Sequence, residues 1–247
     1  LAHSNTVLLK TTLGAVAISD QAIINEAHSL GMQVHDKKDH GDNTSAAGAY
    51  VAYPKPGLYD WVGSMDINSL YPSAIRALNM SPETIVAHID PYYTNDYIDR
   101  RIEGLDEKKM SFADAWLPRF STLEYEYVME QDKERELDVI FVNGDTMRLT
   151  GAEVYELIFN NGKPWCITAN GVIFKHDTKG IIPGLLERWY ADRQTMQVKL
   201  KEAIDSKNKQ QIEFWDKRQT VRKINLNSLY GALLNPGSRF FDMRLGQ

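Results

Sequence analysis

The chain has 247 residues, of which 43% are hydrophobic and 25% charged, and a formal net charge of −5. These values fit an ordinary globular protein and exclude collagen-like, disordered and membrane-embedded classes, since no apolar run reaches the roughly 18–20 residues of a bilayer span. The one cysteine, Cys166, excludes an internal disulfide framework and a Cys-rich zinc site, and reads as a small core residue in a reducing compartment.

In chain order, Ser19-Asp20 is expected to cap a helix from about Gln21 to His28. HDKKDHGDNTS, residues 35–45, is polar and loop-like and reads as a junction between lobes. His35 and His40 lie among aspartates there, but without the fixed spacing of a metal site. AGAYVAY (47–53) and LYDWVGSMDI (58–67) read as two strands, broken by Pro54-Lys55-Pro56-Gly57. A helix is predicted from Leu70 to Leu78, ended by Ser81-Pro82-Glu83-Thr84. Residues 90–165 are the least patterned. Within them, Val139–Val142 and Thr146–Leu149 flank Asn143-Gly144 and predict a hairpin. Thr150 is placed to cap a helix through Phe159 that Asn160-Asn161-Gly162 ends. Asn170-Gly171 marks a second hairpin over 165–175.

From Pro183 the period changes. Leu185, Trp189, Met196, Leu200, Ala203 and Ile204 recur at helical spacing on one stripe. Ser206-Lys207-Asn208-Lys209 interrupts, and a second helix is expected from about Gln211 to Leu234, stopped by Pro236-Gly237. Two long helices joined by a short polar turn form an antiparallel hairpin. The segment from Lys175 to Lys223 holds twelve Lys and Arg against seven Asp and Glu, a local +5, which leaves −10 for the rest. Solvated helix faces would explain that asymmetry, as would an anionic partner.

Certain side chains sit where packing alone does not ask for them. Arg193 lies four after Trp189 and three before Met196, on the apolar stripe. A guanidinium there must find an anion, either an internal carboxylate or a phosphate. On the second helix Lys223, Asn227, Tyr230 and Gly231 are spaced i, i+4, i+7, i+8 and share a stripe. Trp215, Leu226, Leu229 and Leu233 fall on the opposite side as core. A mid-helix glycine costs about 1 kcal/mol against alanine, which suggests that something approaches the backbone. Asp66 ends an apolar run, where it can cap the helix that follows or bind a hard cation such as Mg2+.

DINSLYPS, residues 66–73, resembles motif A of family B DNA polymerases, D-x-x-S-L-Y-P-S. KINLNSLYG, residues 223–231, resembles motif B, K-x-x-x-N-S-x-Y-G. The two occur in family order with the basic helix between them, and SPET and LLERWYADR make the chain similar to the branch used by T-even-like phages. The resemblance covers most of the chain from Gly48 onward and is weakest over 90–165. It implies an α+β architecture, a partial palm with an antiparallel sheet plus a helical hairpin, the fingers. Residues 1–45 would link an exonuclease side to the palm. The first part of the palm would span 46–180 with an insertion at about 90–165, the fingers 181–234, and a truncated return to the palm 235–247.

The resemblance also implies roles. Asp66, with the Ile67 carbonyl, would hold two Mg2+ ions and act as the catalytic carboxylate. The amides of Ser69, Leu70 and Tyr71 would hold a triphosphate tail, with Arg193, Lys223 and Asn227 on its phosphates. Tyr71 would be a steric gate against ribose. Tyr230 and Gly231 would abut the new base pair, and Gly48-Ala49 would touch template. The implied substrates are primer-template DNA and deoxynucleoside triphosphates, in a host cytoplasm if the gene is a phage's, with no membrane partner.

Three departures qualify the match. Gln197 stands where the family often has a further lysine, with Lys199 and Lys201 out of register. The D-T-D motif, which brings the second metal-binding carboxylate, is not in the sequence. The chain begins Leu-Ala-His, without a signal peptide or the exonuclease acids. The expectation is therefore a fragment or one part of a split polymerase, without proofreading of its own. It would need a C-terminal partner carrying D-T-D and the thumb; a sliding clamp and an N-terminal exonuclease part are further candidate partners. The rival readings are a non-catalytic DNA-binding or scaffold subunit that keeps the fold, and a plain nucleotide-binding module.

Overall fold

The computed structural model describes residues 2–38, 54–90, 103, 134, 136–168 and 170–246. The chain divides into two units. One comprises Leu1–Ala46, Asn68–Glu83 and Lys179–Gln247, and the other Ala47–Ile67 and Thr84–Thr178.

The first unit is helical. After a short α1 (Ala2–Asn5) and a 3-10 turn (Leu9–Leu13) come α2 (Ala15–Ser29), α3 (Leu70–Ala77), α5 (Ile181–Asp205) and α6 (Lys209–Leu233). Ala22, Ile23 and Ala27 of α2, Ile75 of α3, Ile182, Leu186 and Trp189 of α5, and Leu226, Leu229 and Leu233 of α6 form one buried core. Helical propensity does not hold such helices alone; burial of these apolar stripes does, at about 25 cal/mol per Å² removed from water.

The start of α5 is fixed by side chains from the segment after α3. Its orphan N–H groups donate to Asn79 Oδ1 (from Gly180, 2.9 Å), Glu83 Oε1 (from Ile181, 2.6 Å) and Ser81 Oγ (from Ile182, 3.4 Å). Helix α3 itself ends at Ala77, with Asn79 turning the chain at φ 53°, and Ser81 and Glu83 of the Ser-Pro-Glu-Thr run join Asn79 in capping a helix far along the sequence. Helix α5 begins two residues before the predicted Pro183, which leaves that proline in the first turn. Lys207, at φ 54°, makes the turn into α6, and Asn208 caps α6 by accepting from Gln211 N–H at 3.2 Å.

The second unit holds a five-stranded antiparallel sheet in the order β3-β2-β1-β5-β4. The strands are β1 (Ile85–Ile89), β2 (Glu136–Phe141), β3 (Thr146–Thr150), β4 (Trp165–Ile167) and β5 (Val172–Lys175). Both predicted hairpins form, with positive φ at Gly144 and Gly171 as the Asn-Gly turns require. Helix α4 (Gly151–Phe159) follows β3. It starts on a capping box in which Thr150 and Glu153 exchange hydrogen bonds, and it ends at the predicted Asn-Asn-Gly. Val154 and Ile158 of α4 pack against Ala87, Ile89, Leu137, Val139 and Ile173. The α+β class is thereby observed.

Several local expectations are corrected. Residues 58–67 form no strand; Leu58, Trp61 and Met65 are fully exposed, and no strand of the described sheet pairs with them. Aromatic and β-branched content records fitness for a half-buried pleated surface, and it makes no strand without a neighbour. Helix α2 begins at Ala15, not near Ser19-Asp20. Ser19 Oγ turns back to the Ala15 carbonyl at 3.1 Å, and Asp20 accepts from Arg239 N–H at 2.9 Å, a tertiary contact a cap reading cannot foresee. Asp66 does not cap α3. The N-cap is Ser69, in the left-handed region at φ 54° and without a side-chain cap bond. Ile204 is exposed although it lies on the predicted apolar stripe, because near the hairpin tip only Ala203 of α5 is buried. The strand expected over 47–53 lies outside the described residues.

Candidate functional site

Motif A opens α3. With Ser69 as N-cap, the amides of Ser69, Leu70 and Tyr71 are among those a helix start leaves without intrahelical partners, an arrangement suited to an anion. Ser69, Leu70 and Tyr71 are all at least partly exposed.

Tyr71 meets motif B directly. Its ring lies flat on that of Tyr230, with centroids 4.2 Å apart and planes 8° from parallel. The Tyr230 hydroxyl donates to the Gly246 carbonyl at 2.9 Å. A Cβ at Gly246 would meet the Leu234 side chain at 1.6 Å, so a larger residue there would require Leu234 to move. Burial, and then the neighbouring Tyr71, push the Tyr230 phenol above its ordinary range, so it keeps its proton and donates at neutral pH.

The rest of the motif B stripe is as its spacing predicts. Lys223, Asn227 and Gly231 are exposed, while Leu226, Leu229 and Leu233 opposite are buried. Nothing lies within 4 Å of where a Gly231 Cβ would stand, so no group of the described chain makes the close approach that this glycine suggested.

The cations midway along the hairpin fall into two kinds. Arg188 forks onto Glu26 of α2 through Nη1 (2.8 Å) and Nη2. Arg222 Nη2 pairs with Asp192 Oδ2 at 3.0 Å, and its guanidinium lies 5.7 Å from the centre of the Trp189 ring. Arg193 and Lys223, each one residue beyond a member of that second pair, have no ion pair among the described residues. The Arg193 Nε is buried without a hydrogen-bond partner among them. The internal carboxylate that would have explained Arg193 is therefore not found there. In an antiparallel helix pair, one step on from two facing residues turns both chains to the same side of the pair. Asp192 and Arg222 face each other, so Arg193 and Lys223 share a side.

Asp66 and Ile67 belong to the second unit, where both are exposed, and Asp66 has no ion pair among the described residues. A free carboxylate and a backbone carbonyl are the hard oxygen donors Mg2+ takes. Among the described residues no three His, Cys, Asp or Glu gather as a complete metal site would need. The fit to a metal is thus that of one carboxylate within a larger donor set. Gly48 and Ala49 lie outside the described residues.

Sequence reasoning missed Arg222, Asp192, Arg188 and Glu26, since charged residues at helical spacing look alike until a partner helix is known. It placed Tyr71 and Tyr230 in separate roles without their stack. Among the described residues no helix is long and apolar enough to cross a membrane.

The profile of DNA polymerase family B matches residues 14–246. The chain is 27% identical to the DNA-directed DNA polymerase of Enterobacteria phage T4, over 81% of this chain and 21% of that protein. It is 27% identical to the DNA-directed DNA polymerase of Escherichia phage RB69, over 80% of this chain and 21% of that one. A 65-residue stretch, 26% of this chain and 6% of the other, is 42% identical to the DNA polymerase of Heliothis virescens ascovirus 3e. The chain spans about a fifth of the length of the two phage relatives. With a match that runs nearly end to end, the chain belongs to DNA polymerase family B.

Proposed function

We propose that this chain is the first part of the palm and the fingers of a DNA-directed DNA polymerase, and that it carries the nucleotide-holding half of the active site. The observation that supports this best is that Arg193 and Lys223 have no carboxylate partner among the described residues, whereas Arg188 and Arg222 are both paired. Two cations without ion pairs among the described residues, on one side of a helical hairpin, suit a polyphosphate.

In this reading the amides of Ser69, Leu70 and Tyr71 and the side chains of Arg193, Lys223 and Asn227 hold the triphosphate of a deoxynucleotide. Tyr71 lies under the sugar and excludes a 2′-hydroxyl. Tyr230 and Gly231 border the new base pair, for which the open space at Gly231 leaves room. Gly48 and Ala49 contact the template. The oxygen of a primer 3′-hydroxyl bonds to the α-phosphorus and loses its proton to solvent. The bond from that phosphorus to the bridging oxygen breaks, and pyrophosphate leaves with its charge held by Arg193 and Lys223. Asp66 and the Ile67 carbonyl would hold Mg2+, which when bound neutralises phosphate charge and makes the 3′-hydroxyl more acidic.

The D-T-D carboxylate and the thumb would come from a C-terminal segment, and a sliding clamp and an exonuclease part are the further partners of this reading. Residues 46–180 would be palm and 181–234 fingers, working in the cytoplasm of a phage's host. Equilibrium binding of dATP to the chain tests the phosphate grip. Arg193→Gln and Lys223→Gln are each expected to weaken it about tenfold, the loss of one charge-assisted contact. Unchanged affinity in both would overturn the reading.

A further inference from the structure

We infer that Arg222 is a positioning residue that sorts charge midway along the hairpin, holding Asp192 so that Arg193 and Lys223 stay free for phosphate. The inference rests on the nucleotide-holding role proposed above.

Four cations, Arg188, Arg193, Arg222 and Lys223, stand on two facing helices with two nearby acids, Glu26 and Asp192. The two acids leave two of the four without an ion pair among the described residues. They take Arg188 and Arg222, and burial differs between the members. The Arg222 side chain is 12% exposed and lies against buried Trp189, whereas Lys223 is exposed. Burial pulls the Arg222 guanidinium below its ordinary value, Asp192 opposes that pull, and Arg188 adds to it. Its Nε and Nη1 are buried without hydrogen-bond partners among the described residues, so Asp192 is its one carboxylate. A guanidinium this buried stays charged and needs that carboxylate more than an exposed cation does.

Asp192 also attracts Arg188 through its charge. Arg188, one turn before it, is already forked onto Glu26. Without Arg222, the 39% exposed Asp192 side chain is left beside Arg193 in sequence. It would offset the Arg193 charge and repel an incoming anion. Arg222 need not touch the nucleotide to matter. It acts by keeping an acid on the inner side of the helix pair.

The sign of the Asp192 variant separates charge sorting from a plain structural clamp. A clamp is broken equally from either end. Sorting is broken only by loss of the arginine, because loss of the acid leaves one more unspent cation. The experiment is calorimetric binding of inorganic tripolyphosphate and of dATP to the whole chain, with thermal unfolding of each variant as the control for folding. Arg222→Gln is expected to weaken both ligands about tenfold, roughly one ion pair's worth. The near-isosteric Asp192→Asn should bind them as tightly as the parent or tighter. The double variant should return to within about threefold of the parent. Weakening by Asp192→Asn as large as that of Arg222→Gln, with no recovery in the double variant, would overturn sorting. So would an unchanged Arg222→Gln alongside a weakened Arg193→Gln, and in that case the phosphate grip itself stands. If the parent binds neither ligand, or if Arg193→Gln and Lys223→Gln bind as the parent does, the grip fails and sorting fails with it.

Discussion

Tyr71 is partly exposed, yet its plane is set by two contacts behind it: the flat stack on Tyr230 and, through the Tyr230 hydroxyl, the Gly246 carbonyl. If Tyr71 is the gate against ribose, Tyr71→Ala opens space under the sugar. Competition between dATP and ATP for the chain should then shift toward ATP by about tenfold or more, the discrimination one well-placed contact gives. An unchanged ratio would remove Tyr71 from sugar selection. Tyr230→Phe keeps the ring and loses the hydrogen bond, so a smaller shift in the same direction is expected. The residues of the motif B stripe were legible from spacing alone, since i, i+4, i+7 and i+8 must share a helix face whatever the helix packs on. The partner of Tyr230 was not, because a stack between residues so far apart in sequence depends on how α3 and α6 pack. Arg193 was legible as an oddity, a cation on an apolar stripe. That it has no ion pair among the described residues could be read only from the structure.

Helix α5 carries Arg193, and its first turn hangs on side chains from another part of the chain. Glu83 accepts from Ile181 N–H at 2.6 Å and brings a negative charge to the positive end of the helix. Glu83→Ala is expected to lower stability by about 1 kcal/mol, the usual worth of a cap, seen as an earlier urea midpoint. A midpoint equal to the parent's would show that Asn79 and Ser81 suffice. Local chemistry also sets an acid sensitivity at the start of α4. Hydrogen bonds from the Thr150 backbone and then its side chain hold the Glu153 carboxyl below its ordinary 4.5. The folded value is depressed, so this contribution is complete above 4.5 and is lost as pH falls through the lowered value. Glu153→Gln should flatten that part of the acid titration of stability, and identical acid profiles would contradict it. Elements with their own signals were readable: two Asn-Gly hairpins, the helix capped by Thr150 and the long hairpin of α5 and α6. The expected strand at 58–67 was not, since strands are made by neighbours as much as by composition.

At the scale of the whole chain, the basic segment from Lys175 to Lys223 sits in a protein of net charge −5. Part of that basicity is consumed internally by Glu26 and Asp192, which raw charge counting cannot reveal. Where primer-template DNA binds through the remaining cations, its affinity should fall with salt, with a slope near −0.9 per phosphate neutralised. A flat salt response would argue against a DNA-facing surface. The family was legible from two motifs in order, and the match over residues 14–246 extends it across the weakly patterned middle. The most direct test of the proposed chemistry is primer extension by this chain supplied with a downstream polymerase segment carrying D-T-D, comparing the parent with Asp66→Asn. The expected result is template-dependent extension by the parent mixture and its loss, by about a thousandfold or more, with Asp66→Asn. Extension by the Asp66→Asn mixture at the parent's rate would contradict the proposed role of Asp66.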